Sequence, residues 1–190
     1  MNIAFRQLLP LMWIAWALYW GVKAFDVKLA AKREPFVSRL LHMGPLALAT
    51  ALLWVPRLPY DGLDARFLPP TAGAFWAGCA LTAAGLLLTV WARRYLGRNW
   101  SAIVAIKEGH EFVASGPYAY VRHPIYTGLL LGFAGTALAL GEWRGLLAVA
   151  ILAWAFWRKL RLEERFMTEQ FGEAYRAYCR RVAALLPFLL

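Results

Sequence analysis

Long apolar runs separated by short polar segments dominate the sequence. Five of them cover residues 7–22, 40–55, 67–92, 124–141 and 145–157. A helix needs about 20 apolar residues to cross a bilayer, so the third run is long enough and the fifth is short. The pattern predicts an all-α, polytopic membrane helix bundle with about five transmembrane helices. A hairpin at residues 142–144 is expected to join the last two runs.

The tail after the fifth run has a different periodicity. Its apolar residues recur at helical spacing, which predicts a C-terminal cytoplasmic amphipathic helix: Leu160, Met167, Phe171, Ala174, Tyr175, Tyr178 and Val182. Glu163 and Glu164 lie on or beside this apolar stripe. Carboxylates near a membrane-proximal apolar surface are costly unless they are paired. Either basic residues of the chain or a cationic or zwitterionic ligand is expected to pair with them, and the available residues are Arg122, His123, Arg158, Lys159 and Arg161.

Composition and charge favour a membrane protein over other classes. Hydrophobic residues make up 61% of the 190 positions, too many for a water-soluble domain of this length to bury. One domain is expected over residues 1–190, with three transmembrane helices in 1–95 and the functional half in 96–190. The first run could also be a signal peptide, but it is rich in tryptophan and more spans follow it. The two cysteines are too few for a structural metal site, and no metal is expected.

The formal charge of +10 is concentrated in segments 23–39, 93–122 and the tail after residue 157. By the positive-inside rule these segments face the cytoplasm and the N-terminus faces outside. No basic element with interleaved aromatics stands apart from the apolar runs, so nucleic acid is not an expected partner.

The stretch GPYAYVRHPIYTG, residues 116–128, leads into the fourth apolar run. Pro124 suits the first turn of a helix and disfavours helical geometry at His123. His123 is therefore expected at a helix start, where N–H groups attract anions. Gly128, Gly132 and Gly135 then predict close packing against another helix.

An ordered set of motifs carries a family resemblance: LGRNW, IKEGHEFVASGPY, RHPIYTG, a short hairpin, EE, FGEAYRAY, RRV and LPF. Over residues 96–188 this set resembles the isoprenylcysteine carboxyl methyltransferase family. The resemblance implies an integral-membrane enzyme that uses S-adenosylmethionine, releases S-adenosylhomocysteine, and takes a lipophilic acceptor from the bilayer, such as a prenylcysteine carboxylate. The absence of a GxGxxG fingerprint agrees with a donor site outside a Rossmann domain.

The resemblance also implies roles for individual residues. The donor would contact His110, Val113, Tyr118, His123, Pro124, Ile125, Tyr126 and Glu163. Arg122 and Lys159 would face the acceptor, although several family members have arginine in place of Lys159. A carboxylate acceptor needs no general base, whereas an amine or thiol acceptor would need one, with His110 or Glu164 as candidates.

Two other functions fit parts of the sequence. Membrane sterol reductases share the RHPxYxG region and would use NADPH, but their tails usually depart from the EE pattern. A non-enzymatic membrane scaffold would use the acidic pair only to fix the tail to the third loop.

Overall fold

The computed structural model describes residues 3–24, 30–33, 36–55, 62–100, 105–107 and 112–187. Within these ranges the chain forms six α-helices and two short strands. They are α1 Ile3–Lys23, β1 Ala30–Arg33, α2 Phe36–Trp54, α3 Ala72–Leu96, β2 Ala105–Lys107, α4 Pro124–Leu140, α5 Trp143–Phe171 and α6 Glu173–Cys179. Most of each of the five predicted apolar runs lies in a helix, so the expected helical architecture is confirmed.

The number of membrane spans remains a prediction. Among the described residues, Val37–Trp54 and Ala72–Asn99 are long and apolar enough to cross a bilayer, and Pro124–Leu140 is apolar but shorter. These lengths do not confirm five spans.

Several helices differ in their bounds from the predicted apolar runs. Helix α3 begins at Ala72 and not at Phe67, because two prolines precede Thr71, whose side chain accepts a hydrogen bond from the Ala74 N–H at 3.2 Å. Helix α5 does not end at Trp157 but continues to Phe171, so the expected tail helix is largely its extension. The predicted stripe is then interrupted at Gly172, where φ is +56°.

The antiparallel pairing of β1 with β2 was not predicted. Ala30 pairs with Lys107 and Arg33 with Ala105, which joins the loop after α1 to the loop after α3. Strands this short carry too little alternation to be identified from sequence.

The glycines of α4 pack closely against α3, as expected. A Cβ atom on Gly85 would lie 2.5 Å from the Gly128 carbonyl oxygen, and one on Gly135 would lie 2.5 Å from the Thr82 nitrogen. Two backbones at this separation have no room for a side chain between them. Helix α4 is thereby fixed in position, and the RHPIYTG motif lies at its start, with His123 immediately before the helix and Pro124 as its first residue.

The other helices complete the frame around α4. Helix α2 packs on α5 through a core that includes Leu52, Leu53, Leu152 and Phe156. Helix α1 is tied in by Trp13, whose indole N–H donates to the Thr136 hydroxyl at 3.0 Å. The predicted hairpin is confirmed: α4 ends at Leu140, Gly141 follows with φ +66°, and α5 begins at Trp143.

Candidate active site

The corner formed by His123 and Pro124 is where the candidate site begins. His123 precedes α4 with φ −123° and ψ +60°, outside helical geometry, and Pro124 is the first helical residue. The backbone N–H of His123 donates to the Ala184 carbonyl at 3.0 Å, and that of Arg122 donates to Ala183 at 2.8 Å. The returning tail therefore occupies the N–H groups of Arg122 and His123, and the attraction of an anion to the N–H groups in the first turn of α4 stays a prediction.

The acidic pair of α5 lies directly against this corner. Glu164 Oε1 is 2.8 Å from Arg122 Nε and 3.2 Å from His123 Nε2. Glu163 Oε2 is 3.5 Å from His123 Nδ1, and Glu163 also accepts a hydrogen bond from the Tyr126 hydroxyl. His123 therefore lies between two carboxylates. The acidic pair and the corner, 40 residues apart in sequence, form one cluster.

The charges of this cluster depend on one another. Burial alone would lower the pKa of His123, but hydrogen bonds to Glu163 and Glu164 and their negative charges raise it. Burial would raise the pKa of Glu163, yet the hydrogen bond from His123 and the charge of Lys159 lower it. The pKa of Glu164 is lowered in the same way by His123 and Arg122 despite burial. Each group stabilises the ionised form of its neighbours.

Glu163 keeps capacity for a further partner. A carboxylate has about four lone-pair positions, and the contacts above use one on each oxygen. Its side chain is 24% exposed, in contrast to the 8% of His123. A ligand cation can therefore reach this carboxylate while the contacts with His123 and Tyr126 stay in place.

A stack of three rings forms the wall next to Glu163. The His123 and Tyr126 rings are nearly parallel at 9°, with centroids 5.4 Å apart, and the Phe156 ring lies 4.6 Å from Tyr126. The Lys159 ammonium is 5.4 Å from the centroid of the Tyr126 ring. The site thus places an aromatic face, a cation and a carboxylate within one helical turn of α5 and the first turn of α4.

Tyr118 lies beneath the cluster, in a 3₁₀ turn of residues 116–119. It is 7% exposed, and burial together with the charge of Glu163 raises its pKa, so that its hydroxyl stays neutral. Pro124 is fully buried, whereas Val113 and Ile125 are half-buried. His110, the remaining predicted donor residue, lies outside the described residues.

Arg122 pairs with the acidic pair, as one of the basic partners expected from the sequence, and it also binds the backbone of the tail, which was not expected. Its guanidinium donates to Glu164 and also to the carbonyl oxygens of Cys179, at 3.1 Å, and Val182. Its side chain is only 12% exposed. In this arrangement Arg122 connects the acidic pair to the tail, and this geometry gives no direct support to its expected contact with the acceptor.

Several residues of the site were not found from the sequence. Phe156 continues the ring stack, and the Tyr178 hydroxyl donates to the Tyr118 carbonyl at 2.5 Å. Phe112 packs on the aromatic residues of the FGEAYRAY stretch. That stretch was recognised as part of a motif, and its tyrosine spacing was the available signal. Phe156 has no signal beyond its position in an apolar run.

Comparison with known proteins agrees with the motifs. A sequence profile described as phospholipid methyltransferase matches residues 74–174. The protein-S-isoprenylcysteine O-methyltransferase of Schizosaccharomyces pombe is 34% identical over 96 residues, which cover 49% of this chain and 41% of that protein. Protein-S-isoprenylcysteine O-methyltransferase B of Arabidopsis thaliana is 30% identical over 129 residues, covering 65% of this chain and 66% of that protein. The chain therefore spans less than two thirds of the length of these relatives.

A solved structure has the same fold. The eukaryotic intramembrane Ras methyltransferase, isoprenylcysteine carboxyl methyltransferase, superposes with a TM-score of 0.54 over 78% of this chain and 63% of that chain, at 24% identity. The profile match covers more than half of the sequence. The chain therefore belongs to the phospholipid methyltransferase family of membrane methyltransferases and is similar within it to the isoprenylcysteine carboxyl methyltransferases.

Proposed function

We propose that this protein binds S-adenosylmethionine beside the His123–Pro124 corner and transfers its methyl group to the carboxylate of a lipophilic acceptor. The observation that carries the proposal is that Glu163 of α5, a partly accessible carboxylate, contacts both His123 and Tyr126 at the start of α4. Family membership supports methyl transfer, and the names of the relatives supply prenylcysteine as the first acceptor to test.

The donor side of the site fits the groups of S-adenosylmethionine. When bound, this donor supplies a methyl group activated by the positive charge of its sulfonium. Glu163 has the charge and exposure to hold the amino group, and the depressed pKa keeps it ionised at neutral pH. The stacked rings of His123, Tyr126 and Phe156 line the site beside Glu163, and aromatic rings attract a cation. Val113, Tyr118, Pro124 and Ile125 would complete the donor site, together with His110.

The acceptor side favours a carboxylate. Lys159 is 9% exposed and lies over the Tyr126 ring, so its ammonium can hold an anion close to the donor position. A lysine holds a carboxylate as a point charge and not by the bidentate grip of an arginine. Arg122 would add positive charge from the other side of Glu164.

The state of Glu164 also favours an acceptor that is already anionic. An amine or thiol acceptor would have to lose a proton, and Glu164 would be a base close to the reaction. Its pKa is lowered by the hydrogen bond from His123 and by Arg122, against the effect of burial. A carboxylate of low pKa is a weak proton acceptor at neutral pH. A carboxylate acceptor avoids this step altogether.

The charge distribution supports a location of the site at the cytoplasmic end of the helices, with the N-terminus outside. Apolar helices then surround the site on the membrane side, which suits an acceptor that enters from the bilayer. Exclusion of water and alignment of the acceptor with the donor are the main contributions expected from the protein to the rate.

The proposal is tested with purified protein in lipid nanodiscs and S-adenosylmethionine labelled in its methyl group. Three acceptors are compared: an S-farnesylcysteine derivative with a carboxylate, phosphatidylethanolamine as an amine, and a long-chain thiol. We expect label on the first, in a form that alkali releases as methanol, because only a methyl ester is cleaved in this way. NADPH oxidation with a sterol substrate, or no label on any acceptor, would contradict the proposal in favour of a reductase or a scaffold.

A further inference from the structure

We propose that residues 171–185, called the C-terminal clamp, hold three separate segments of the donor site in register, with Tyr178 as the principal positioning residue. The proposal rests on the proposed function, because it concerns the same S-adenosylmethionine site. It assigns a role to the FGEAYRAY stretch at residues 171–178, which includes neither the acidic pair nor the corner.

The first held segment is the one that contains Phe112. The Phe112 ring lies 5.1 Å from the ring of Tyr178, 5.8 Å from Tyr175 and 5.6 Å from Phe171, measured between centroids. The two tyrosine contacts are edge-on, at 78° and 72°, the arrangement that aromatic pairs favour. Both tyrosines are 3% exposed. This aromatic socket fixes Phe112 and hence the position of its neighbour Val113, a predicted donor contact.

The second held segment is the turn that carries Tyr118. The Tyr178 hydroxyl donates to the Tyr118 carbonyl at 2.5 Å inside the protein. Burial raises the pKa of Tyr178, so the hydroxyl is a neutral donor at all physiological pH values. A buried carbonyl that lost this partner would have no water to replace it, and the turn would shift to find another donor. Tyr178 thus contacts two donor-site segments at once, with its ring and with its hydroxyl.

The third held segment is the corner itself. The end of the clamp runs beside it and accepts three hydrogen bonds: Arg122 N–H to Ala183 at 2.8 Å, His123 N–H to Ala184 at 3.0 Å, and the Thr127 hydroxyl to Leu185 at 2.7 Å. The Arg122 guanidinium adds bonds to the carbonyls of Cys179 and Val182. Both backbone polar groups of His123 therefore form hydrogen bonds: its N–H donates to Ala184, and its carbonyl accepts from the Thr127 N–H.

These contacts predict which kinetic quantity the clamp controls. The three segments lie within residues 112–127, far from the clamp in sequence, and ordering each of them on binding would subtract from donor affinity. A clamp that orders them beforehand removes that cost. The ring and hydroxyl of Tyr178 contact Phe112, Tyr175 and Tyr118, whereas Leu185 of the clamp packs against the core that includes Tyr126 and Phe156. Weakening the contacts of Tyr178 is therefore expected to reduce donor affinity more than the rate of the bound complex.

The test uses Tyr178→Phe in the full-length protein in nanodiscs. This change keeps the ring in the socket with Phe112 and removes only the hydroxyl that binds the Tyr118 carbonyl. Loss of one buried hydrogen bond predicts a Kd for S-adenosylmethionine that rises about tenfold, with kcat at saturating donor within about twofold of wild type. Thr127→Val, which removes the hydrogen bond to Leu185, is expected to act in the same direction. Tyr120→Phe is the matched control, because it removes the same group from the same loop at a residue that is 62% exposed.

A second readout does not depend on donor binding. Hydrogen–deuterium exchange of residues 118–123 in the absence of added donor is expected to be faster in Tyr178→Phe than in wild type and unchanged in Tyr120→Phe. Unaltered donor affinity and unaltered exchange in Tyr178→Phe would overturn the inference. If the wild type binds no S-adenosylmethionine, the proposed function fails and the exchange result alone decides: faster exchange supports a positioning role for Tyr178, and unchanged exchange overturns it.

Discussion

Replacing Glu163 with glutamine keeps the shape of the side chain but removes the negative charge proposed to hold the amino group of the donor. The Tyr126 hydroxyl can still donate to the remaining amide oxygen, and His123 keeps its contact with Glu164 at 3.2 Å. The local packing is therefore expected to survive. The main loss is the charge-assisted interaction with the ligand.

The size of this loss follows from the exposure of the carboxylate. A hydrogen bond to a charged group contributes about 1.5–3 kcal/mol, and Glu163 is 24% exposed, so solvent screens part of its charge. A loss of about 2 kcal/mol corresponds to a Kd about thirtyfold higher. Glu173→Gln is the matched control, because Glu173 lies on the surface with its side chain 66% exposed, where it pairs with Arg176 and Arg180.

Isothermal titration of S-adenosylhomocysteine into each variant measures this difference, and a melting curve of each preparation confirms that it is folded. We expect weak binding only in Glu163→Gln. A folded Glu163→Gln protein that binds as tightly as wild type would refute the placement of the donor amine, and so would an equal loss in Glu173→Gln.

Three further predictions concern charge, packing and the acceptor. Because the pKa of His123 is raised in the folded protein, His123 contributes its full stabilisation below pH 6.5, the ordinary pKa of a histidine, and this stabilisation is lost as the pH rises through the raised pKa. Because the pKa values of Glu163 and Glu164 are lowered, the two carboxylates contribute fully above pH 4.5, and their stabilisation is lost as the pH falls. The melting temperature should therefore be highest between about pH 4.5 and 6.5, and an unchanged alkaline decline in His123→Gln would contradict this. Gly85→Ala places a Cβ atom 2.5 Å from the Gly128 carbonyl oxygen and should lower the free energy of unfolding by about 1–3 kcal/mol. Gly73→Ala is the control, because a Cβ atom there has no neighbour within 4 Å and should not lower it. Equal unfolding curves of the two variants in mild detergent would contradict the close packing of α3 and α4. Lys159→Met should raise the KM of a carboxylate acceptor about tenfold or more, because it removes the positive charge that holds the acceptor. Lys159→Arg keeps the charge and should leave the KM unchanged, and initial rates at saturating donor measure both values. An unaltered KM in Lys159→Met would remove this residue from the acceptor site.

The helical frame could be predicted because its signals are local. An apolar run, a proline at the first helical turn and glycines at GxxxG spacing each act within a few residues, and α4 appears where they predict it. The meeting of the acidic pair with His123 was also predicted, because two carboxylates on an apolar stripe need a partner. The charges of these side chains are visible in the sequence, so the need for a contact between them could be predicted.

The contacts made by the tail could not be predicted in the same way. The carbonyls of Ala183 and Ala184 receive the N–H groups of the corner, and a carbonyl is present at every position of every sequence. Arg122 was therefore expected to pair with the acidic residues or to face the acceptor, and its bonds to the carbonyls of Cys179 and Val182 were missed. The continuous α5 was missed for a related reason: the sequence changes from apolar to amphipathic at residue 158, and a helix can pass through such a change without a break.

An experimental structure with S-adenosylhomocysteine bound is the measurement that tests the account most directly. We predict that the amino group of the ligand lies within hydrogen-bond distance of the Glu163 carboxylate, that the rings of Tyr126 and Phe156 remain stacked beside it, and that the sulfur atom faces Lys159. A ligand bound elsewhere, with Glu163 still engaged only by His123 and Tyr126, would contradict the account.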